Sequence, residues 1–354
     1  MSHVYQALIR PFLFRHEPEK THEYTLMLLR LMGCAYPVCH LMEKWNRLRG
    51  ANPVELFGLE FPNMVGLAAG FDKNGECVRP LRAMGFGHLE VGTVTRHKQP
   101  GNPRPRLYRY SKEQAIVNRM GFNNEGAEAV AERLSKLPRP GKRTVPIGIN
   151  IGKTKQVSLE DAIEDYKQTF AILADYADYF TINVSSPNTR ELRRLQEPDY
   201  LRELLQELTH NSEERARKLG IRPLPLLVKI APDLSYREID SILEIIAEKK
   251  IDGVIATNTT INRADSVKHI EEAGGLSGKP LHHTSTDIVN YIYKTTSGRL
   301  PIIGVGGIDD PKSAGAMVDA GASLVQVYTG MVYRGPLLAR TLARSLSWRH
   351  RDWL

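Results

Sequence analysis

Residues 224–257 read LPLLVKIAPDLSYREIDSILEIIAEKKIDGVIAT. An apolar run at 224–230 carries one charge, Lys229. A turn containing Pro232 and Asp233 follows, then a stretch of helical periodicity at 236–249, then a second apolar run at 253–257. Short β-branched runs that do not alternate with polar residues belong to strands buried on both faces, as in a parallel sheet. The stretch therefore reads as strand, helix, strand.

The same unit recurs in both directions. Apolar runs at 64–69, 88–94, 145–151 and 179–184 precede it, and runs at 302–305 and 324–328 follow. Helical stretches at 127–137, 159–174, 198–219, 311–320 and 336–348 lie among them. Eight strands alternating with helices predict an α/β fold, a (β/α)8 TIM barrel, with a doubly wound open sheet as the alternative. One connection breaks the rhythm. Residues 98–124 are basic and rich in proline and glycine, and a link that long inside a compact domain is usually functional.

The first fifty residues have another pattern. Tyr24, Met27, Leu28 and Leu31 fall at helical spacing, as do Val38, Leu41, Met42 and Trp45, with Pro37 between the two groups. This predicts a pair of short amphipathic helices. They either cap the barrel or offer an apolar surface to lipid or to an apolar substrate. Arg10, Arg15, Lys20, Arg30, Lys44, Arg47 and Arg49 outnumber the acids there, which favours an anionic membrane surface. The division expected is a helical unit at 1–50 and a barrel at 51–354.

Composition narrows the class. Of 354 residues, 42% are hydrophobic and 25% charged, as in an ordinary globular protein. Cys34, Cys39 and Cys77 match neither a zinc motif nor a disulfide framework. The net charge of +8 fits a basic surface, or attraction to a phosphorylated cofactor, a carboxylate substrate or acidic lipid. No nucleic-acid-binding signature is present. No signal peptide is expected, and the best apolar stretch, 26–42, is too short for a membrane span and is broken by Arg30, Pro37 and His40.

A barrel keeps its active site at the C-terminal ends of its strands. Following the runs in order, those ends hold Ala69, Gly70, Phe71, Asp72 and Lys73; Thr93; Asn150; Asn183, Ser185, Ser186 and Asn188; Lys229; Thr257, Asn258 and Thr259; Gly304, Gly306 and Gly307; and Tyr328, Thr329 and Gly330. Glycines after strands seven and eight, with Gly278, can close backbone N–H groups around a phosphate. No carboxylate pair, nucleophile elbow or metal-ligand spacing appears, and His282 and His283 are adjacent and point apart. Lys73 and Lys229 leave two chemistries open. A strand-end lysine can form a Schiff base in an aldolase-like enzyme. It can instead remain charged and stabilise negative charge on a reduced flavin or an enolate-like species, which the many amides favour because they suit a planar ligand dense in donors and acceptors. A non-enzymatic membrane-surface protein on a barrel scaffold is a third reading, resting on residues 1–50.

Whole words of the sequence resemble the dihydroorotate dehydrogenase family: GLAAGFDK at 66–73, NRMGFNN at 118–124, INVSSPNT at 182–189, VKIAPD at 228–233, IATNTT at 255–260, GGLSG at 274–278 and IGVGGI at 303–308. The resemblance runs to about residue 340; the tail with Trp348 and Trp353 carries no motif. It implies FMN held non-covalently by Ala69, Gly70, Phe71, Asp72, Lys73, Thr93, Asn150, Asn183, Lys229, Thr257, Gly278, Gly307, Tyr328 and Thr329. It implies dihydroorotate, oxidised to orotate, against Lys73, Asn118, Arg119, Met120, Gly121, Phe122, Asn183, Asn188, Asn258 and Thr259, with 118–122 folded back over the rim. Ser186 is the implied base. Serine there, where the soluble class has cysteine, together with the N-terminal helices, resembles the quinone-reducing class. That class implies an apolar entrance for a membrane quinone and peripheral contact with the inner membrane on its cytoplasmic face. It implies no metal and no obligate protein partner. Thr154 and Thr329 stand where the family often has asparagine and serine, and both keep a polar group.

Overall fold

The computed structural model describes residues 4–46, 48, 53–189 and 191–347. Eight parallel strands close into a barrel: β1 (Val65–Leu67), β2 (His88–Val94), β3 (Ile147–Ile151), β4 (Tyr179–Asn183), β5 (Leu226–Ile230), β6 (Gly253–Ala256), β7 (Ile302–Val305) and β8 (Leu324–Val327). Each pairs with the next in sequence, and β8 returns to β1 through Val325 with Val65, Gln326 with Gly66 and Val327 with Leu67. That last ladder excludes the open sheet. Every residue of these strands is buried, which is why they read as mainly apolar runs without alternation. Their limits fall within two residues of those expected, the usual raggedness of element ends.

After short helical segments at Tyr5–Ile9 and Arg10–Leu13, the longer helices in chain order are α1 (Pro18–Cys34), α2 (Tyr36–Asn46), α3 (Val78–Ala83), α4 (Ala127–Leu134), α5 (Ala162–Leu173), α6 (Pro198–Leu219), α7 (Tyr236–Glu248), α8 (His282–Thr295), α9 (Pro311–Asp319), α10 (Thr329–Arg334) and α11 (Leu338–Leu346). Helices α3 to α11 follow the strands around the barrel. The stretch expected as a helix at 336–348 is found as α11, and the short α10 ahead of it is separated from it by Gly335, at φ 95°, and Pro336; Trp348 lies outside the described residues. An antiparallel hairpin, Val54–Leu56 with Leu59–Phe61, precedes β1, and Phe61 meets the ring of His88 edge-on at the foot of the barrel.

The long connection between β2 and β3 holds regular structure at the mouth. Within 98–124, Leu107–Tyr110 and Ala115–Asn118 form a hairpin, and Gly275–Gly278 from the connection after β6 pairs with its second strand. The result is a three-stranded antiparallel sheet over the rim.

The two N-terminal helices break at Ala35 and bend by 98°; Pro37 lies in the first turn of α2, where a missing N–H costs nothing. Glu17 caps α1 by accepting from the N–H groups of Glu19 and Lys20, both at 3.2 Å. One side of the pair docks on the barrel: Arg79 donates to the carbonyl of Gly33 at 2.9 Å, and Asn46 Nδ2 to that of Ala83 at 2.7 Å. Most of the stripe noted in the sequence faces away from it: Leu28 is 61% exposed and Leu41 69%, and Tyr24, Met27, Leu31 and Val38 are also exposed, while Met42 is half-buried and the Trp45 ring lies under the guanidinium of Arg340 in α11 at 3.8 Å. Among the described residues no single helix is long and apolar enough to cross a membrane. Arg47 and Arg49 lie outside the described residues.

Candidate active site

The strand ends and the sheet above them enclose a cavity of about 1060 Å³. Of the twenty-three residues that the resemblance assigns to cofactor, substrate or base, nineteen line it: Ala69, Gly70, Lys73, Thr93, Asn118, Met120, Gly121, Phe122, Asn183, Ser186, Asn188, Lys229, Thr257, Asn258, Thr259, Gly278, Gly307, Tyr328 and Thr329. Four do not. Asn150 stands behind Thr93 and Asn183 and touches both. Phe71 turns to the rings of His22 and Tyr328. The carboxylate of Asp72 accepts from the N–H groups of Glu76 at 2.8 Å and Cys77 at 2.7 Å, which organises the turn after β1. Arg119 stacks on Tyr108 and donates to Pro105 O at 3.0 Å. Ser277, Leu281 and Gln326 also line the cavity and were not anticipated; only Gln326 gave a signal, a polar residue inside an apolar run.

The wall built by β2, β4 and β5 is polar. The Thr93 hydroxyl donates to Asn150 Oδ1 at 2.6 Å, and Asn183 Nδ2 donates to Thr93 Oγ1 at 2.9 Å. Lys229 is buried beside them; loss of hydration pulls its pKa down, and the charge of Glu90 opposes this. The β7–β8 side offers backbone. Gly307 sits at φ 65°, and a Cβ there would come 2.5 Å from Cβ of His282. Gly278, at φ 96°, would place a Cβ 2.3 Å from the carbonyl oxygen of Gln114. Only glycine lets these loops close so tightly. Between the two sides the surface is apolar, from Ala68, Ala69, Leu281, Val305, Ile308 and Val327. An apolar slot with a row of amides, a hydroxyl and an ammonium along one side and glycine backbone at the other fits a planar nitrogen heterocycle bearing a phosphate.

The rim closes over this slot. Asn188 Nδ2 donates to Asn118 Oδ1 at 3.2 Å, joining the loop after β4 to the hairpin of the mouth. Asn258 Nδ2 donates to Asn183 Oδ1 at 3.3 Å and to Ser185 Oγ at 3.0 Å. Ser186 is buried, and its Oγ accepts from the N–H of Asn188 at 3.3 Å. Lys73 donates to Met120 Sδ at 3.1 Å and to Asn123 Oδ1. Its pKa is lowered to about 7, first by desolvation and then by the charge of Arg106, against the pull of Glu19. Among the described residues no group of His, Cys, Asp and Glu is arranged to hold a metal.

A second cavity, of about 670 Å³, lies beneath α1. Lys73 and Met120 border both cavities and so divide them. The wall of the second is mixed: Leu26, Phe71 and Met120 share it with Glu19, His22, Glu23 and Arg30. Burial pulls the pKa of His22 down to about 4, with Lys73 adding to the effect, so the imidazole is neutral at pH 7.

The family model described as dihydroorotate dehydrogenase matches residues 52–349. A dihydroorotate dehydrogenase (quinone) of Chloroflexus aurantiacus is 48% identical over 97% of this chain and 96% of its own. One from Gloeobacter violaceus is 47% identical, covering 97% of this chain and 94% of its own. Among solved structures, the Eimeria tenella enzyme crystallised with ferulenol superposes with a TM-score of 0.82 at 39% identity, covering 93% of this chain and 90% of that one.

Proposed function

The chain belongs to the dihydroorotate dehydrogenase family of oxidoreductases, and from that premise we propose that it oxidises (S)-dihydroorotate to orotate in pyrimidine biosynthesis, with bound FMN and a membrane quinone as successive acceptors. The observation that carries the reading is the mouth cavity, where one slot suits an isoalloxazine and the rim above it presents Ser186 with four polar side chains. The residues that would hold FMN there are Thr93, Asn183 and Lys229 along the ring, Ala69, Gly70 and Tyr328 against it, and Gly278, Gly307 and Thr329 around the phosphate. When bound, FMN supplies the acceptor for the hydride leaving the substrate.

The chain's own residues do the rest. Asn118, Asn188, Asn258 and Thr259 match the edges of a pyrimidine with donors and acceptors, and Lys73 faces its carboxylate. Ser186 Oγ takes the proton from the carbon beside the substrate carbonyl. A serine hydroxyl is a weak base, so that proton must pass onward as it is taken, and the enclosed rim raises the value of each charge nearby. The ammonium of Lys229 stabilises negative charge arriving at the inner wall. The reading that made Lys229 a Schiff-base lysine has less support, because Lys229 stands among amides suited to a flavin.

The quinone would arrive through the cavity beneath α1, next to Phe71 and Met120. In this reading residues 1–50 are the unit that meets the membrane and 51–354 the catalytic barrel. The exposed stripe on α1 and α2 lies on the membrane as a peripheral contact, at the cytoplasmic face. The test is the purified full chain with Ser186→Ala. It should keep its flavin absorption and lose reduction by dihydroorotate by two to four orders of magnitude, the usual worth of general base catalysis. A variant that is still bleached at the native rate would remove Ser186 from its role.

A further inference from the structure

Glu90 lies in the middle of β2, buried inside the barrel and behind the cavity wall. Each of its oxygens is taken by a side-chain amide. Oε1 accepts from Asn150 Nδ2 at 2.8 Å, and Oε2 from Gln326 Nε2 at 2.9 Å. An ionised carboxylate can only accept, so Asn150 must turn its NH2 inward and its carbonyl oxygen outward. That oxygen accepts from the Thr93 hydroxyl at 2.6 Å and from Asn183 Nδ2 at 3.2 Å. Asn183 is thereby oriented too. Its Oδ1 faces outward and accepts from the N–H of Ser185 at 3.3 Å and from Asn258 Nδ2 at 3.3 Å. Asn258 then accepts from the N–H of Thr259 at 2.8 Å. Three successive amides donate inward and accept outward. The backbone N–H groups of Ser185 and Thr259, which can only donate, agree with that direction at the outer end.

We propose that Glu90 is a positioning residue that sets the direction of this amide chain, and with it the pattern of donors and acceptors that the inner wall and the rim present. The inference rests on the reading of the cavity as a flavin and pyrimidine site. Asn183 and Asn258 are held at the outer end by the N–H groups of Ser185 and Thr259, whereas Asn150 has a donor face and an acceptor face and could be turned over without loss of shape. A carboxylate at one end of a chain removes that freedom. It also commits Gln326 Nε2, which leaves Gln326 Oε1, buried and without a protein partner, as an acceptor beside the cavity.

The test is a swap in the full-length chain. Glu90→Gln restores a group that can donate or accept, so the direction is lost; the dissociation constant for FMN should rise about tenfold or more, the worth of one misdirected buried hydrogen bond. Asn150→Asp alone sets two carboxylates face to face and should do as much harm. Both changes together let Gln at 90 donate to Asp at 150, whose carboxylate again accepts from Thr93 and Asn183. The double variant should regain most of the FMN affinity and of kcat/KM for dihydroorotate. A native-like Glu90→Gln, or a double variant no better than the singles, overturns the proposal. Should a single variant fail to fold, recovery of folded protein in the double supports the proposal and continued failure refutes it. Unfolding midpoints of the apoprotein run the same cycle without cofactor. Recovery there in Glu90→Gln with Lys229→Met, and not in the swap, would reduce Glu90 to a counter-charge. A native chain that takes up no FMN would refute the cofactor reading, leaving the amide chain to be judged on those midpoints.

Discussion

Removing the carboxylate of Glu19 should release α1 from the barrel. Glu19 is 1% exposed, and it meets Arg106 through three contacts: Nε to Oε1 at 3.0 Å, Nε to Oε2 at 3.1 Å, and Nη2 to Oε1 at 2.7 Å. Breaking a buried pair by deleting one partner costs about 3–5 kcal/mol, because the other charge is left without compensation. Arg106 keeps two acceptors, the carbonyl oxygens of Pro100 at 2.6 Å and Asn102 at 2.7 Å, which places Glu19→Ala at about the lower figure. The bridge to Arg104 adds little, since that arginine is half exposed. A loss of about 3 kcal/mol, felt locally, raises amide exchange in α1 about a hundredfold while β1–β8 keep their protection. The same variant should bleach normally with dihydroorotate and reoxidise slowly with quinone. Unchanged exchange in α1, or equal loosening of barrel and helix, would refute the reasoning. Acid gives an independent check. Burial alone would raise the pKa of Glu19, but hydrogen bonds and charge from Arg106, with Arg104 and Lys73, hold it below 4.5. A depressed carboxylate contributes stability above its unfolded pKa and loses it as pH falls through the folded value, so α1 should loosen in native protein only below about pH 4.5.

Gly307→Ala combines a left-handed backbone with a Cβ 2.5 Å from Cβ of His282 and 2.7 Å from its nitrogen. It should cut the flavin content, read from visible absorbance, at least tenfold by roughly 1–2 kcal/mol of backbone strain plus the displacement of α8, and full flavin content would contradict this. Leu28→Asp with Leu41→Asp changes exposed side chains, so stability should move by less than about 0.5 kcal/mol while co-sedimentation with anionic vesicles falls steeply; undiminished binding would show that the stripe is not the attachment. Burial lowers the pKa of Lys73 to about 7 against the pull of Glu19, and a ligand carboxylate raises that value, so binding takes up a proton above pH 7. Orotate affinity should weaken up to about tenfold per pH unit from there, with a buffer-dependent binding enthalpy at pH 8.5; equal enthalpies in buffers of different ionisation heat would exclude the linkage.

The barrel was legible because β3, IGINI, and its counterparts are buried on both faces and had no other way to be written. Strand ends also located the rim. The sequence could not show which way each side chain turns beyond the last strand residue. Phe71 and Asp72 follow Gly70, whose φ of 103° redirects the chain, and they face away from the slot that Gly70 lines. The mouth sheet was hidden for another reason. Its strands are four residues each, and Ala115 pairs with Gly278, so no local pattern announces the partner. Glu19 and Arg106 lie in unrelated segments and meet only after folding. Glu90 left a faint trace, one acid inside an apolar run, with nothing to say that Asn150 and Gln326 would converge on it.

The seam between β8 and β1 has a consequence for the order of events in the cell. The cavity needs Lys73 from just after β1 and Thr329 from just after β8, which stand at opposite ends of the barrel's sequence. No nascent chain shorter than about 330 residues possesses both walls, and contacts so distant in sequence are slow to form. On the proposed reading, the complete flavin site therefore exists only after β8 has been made.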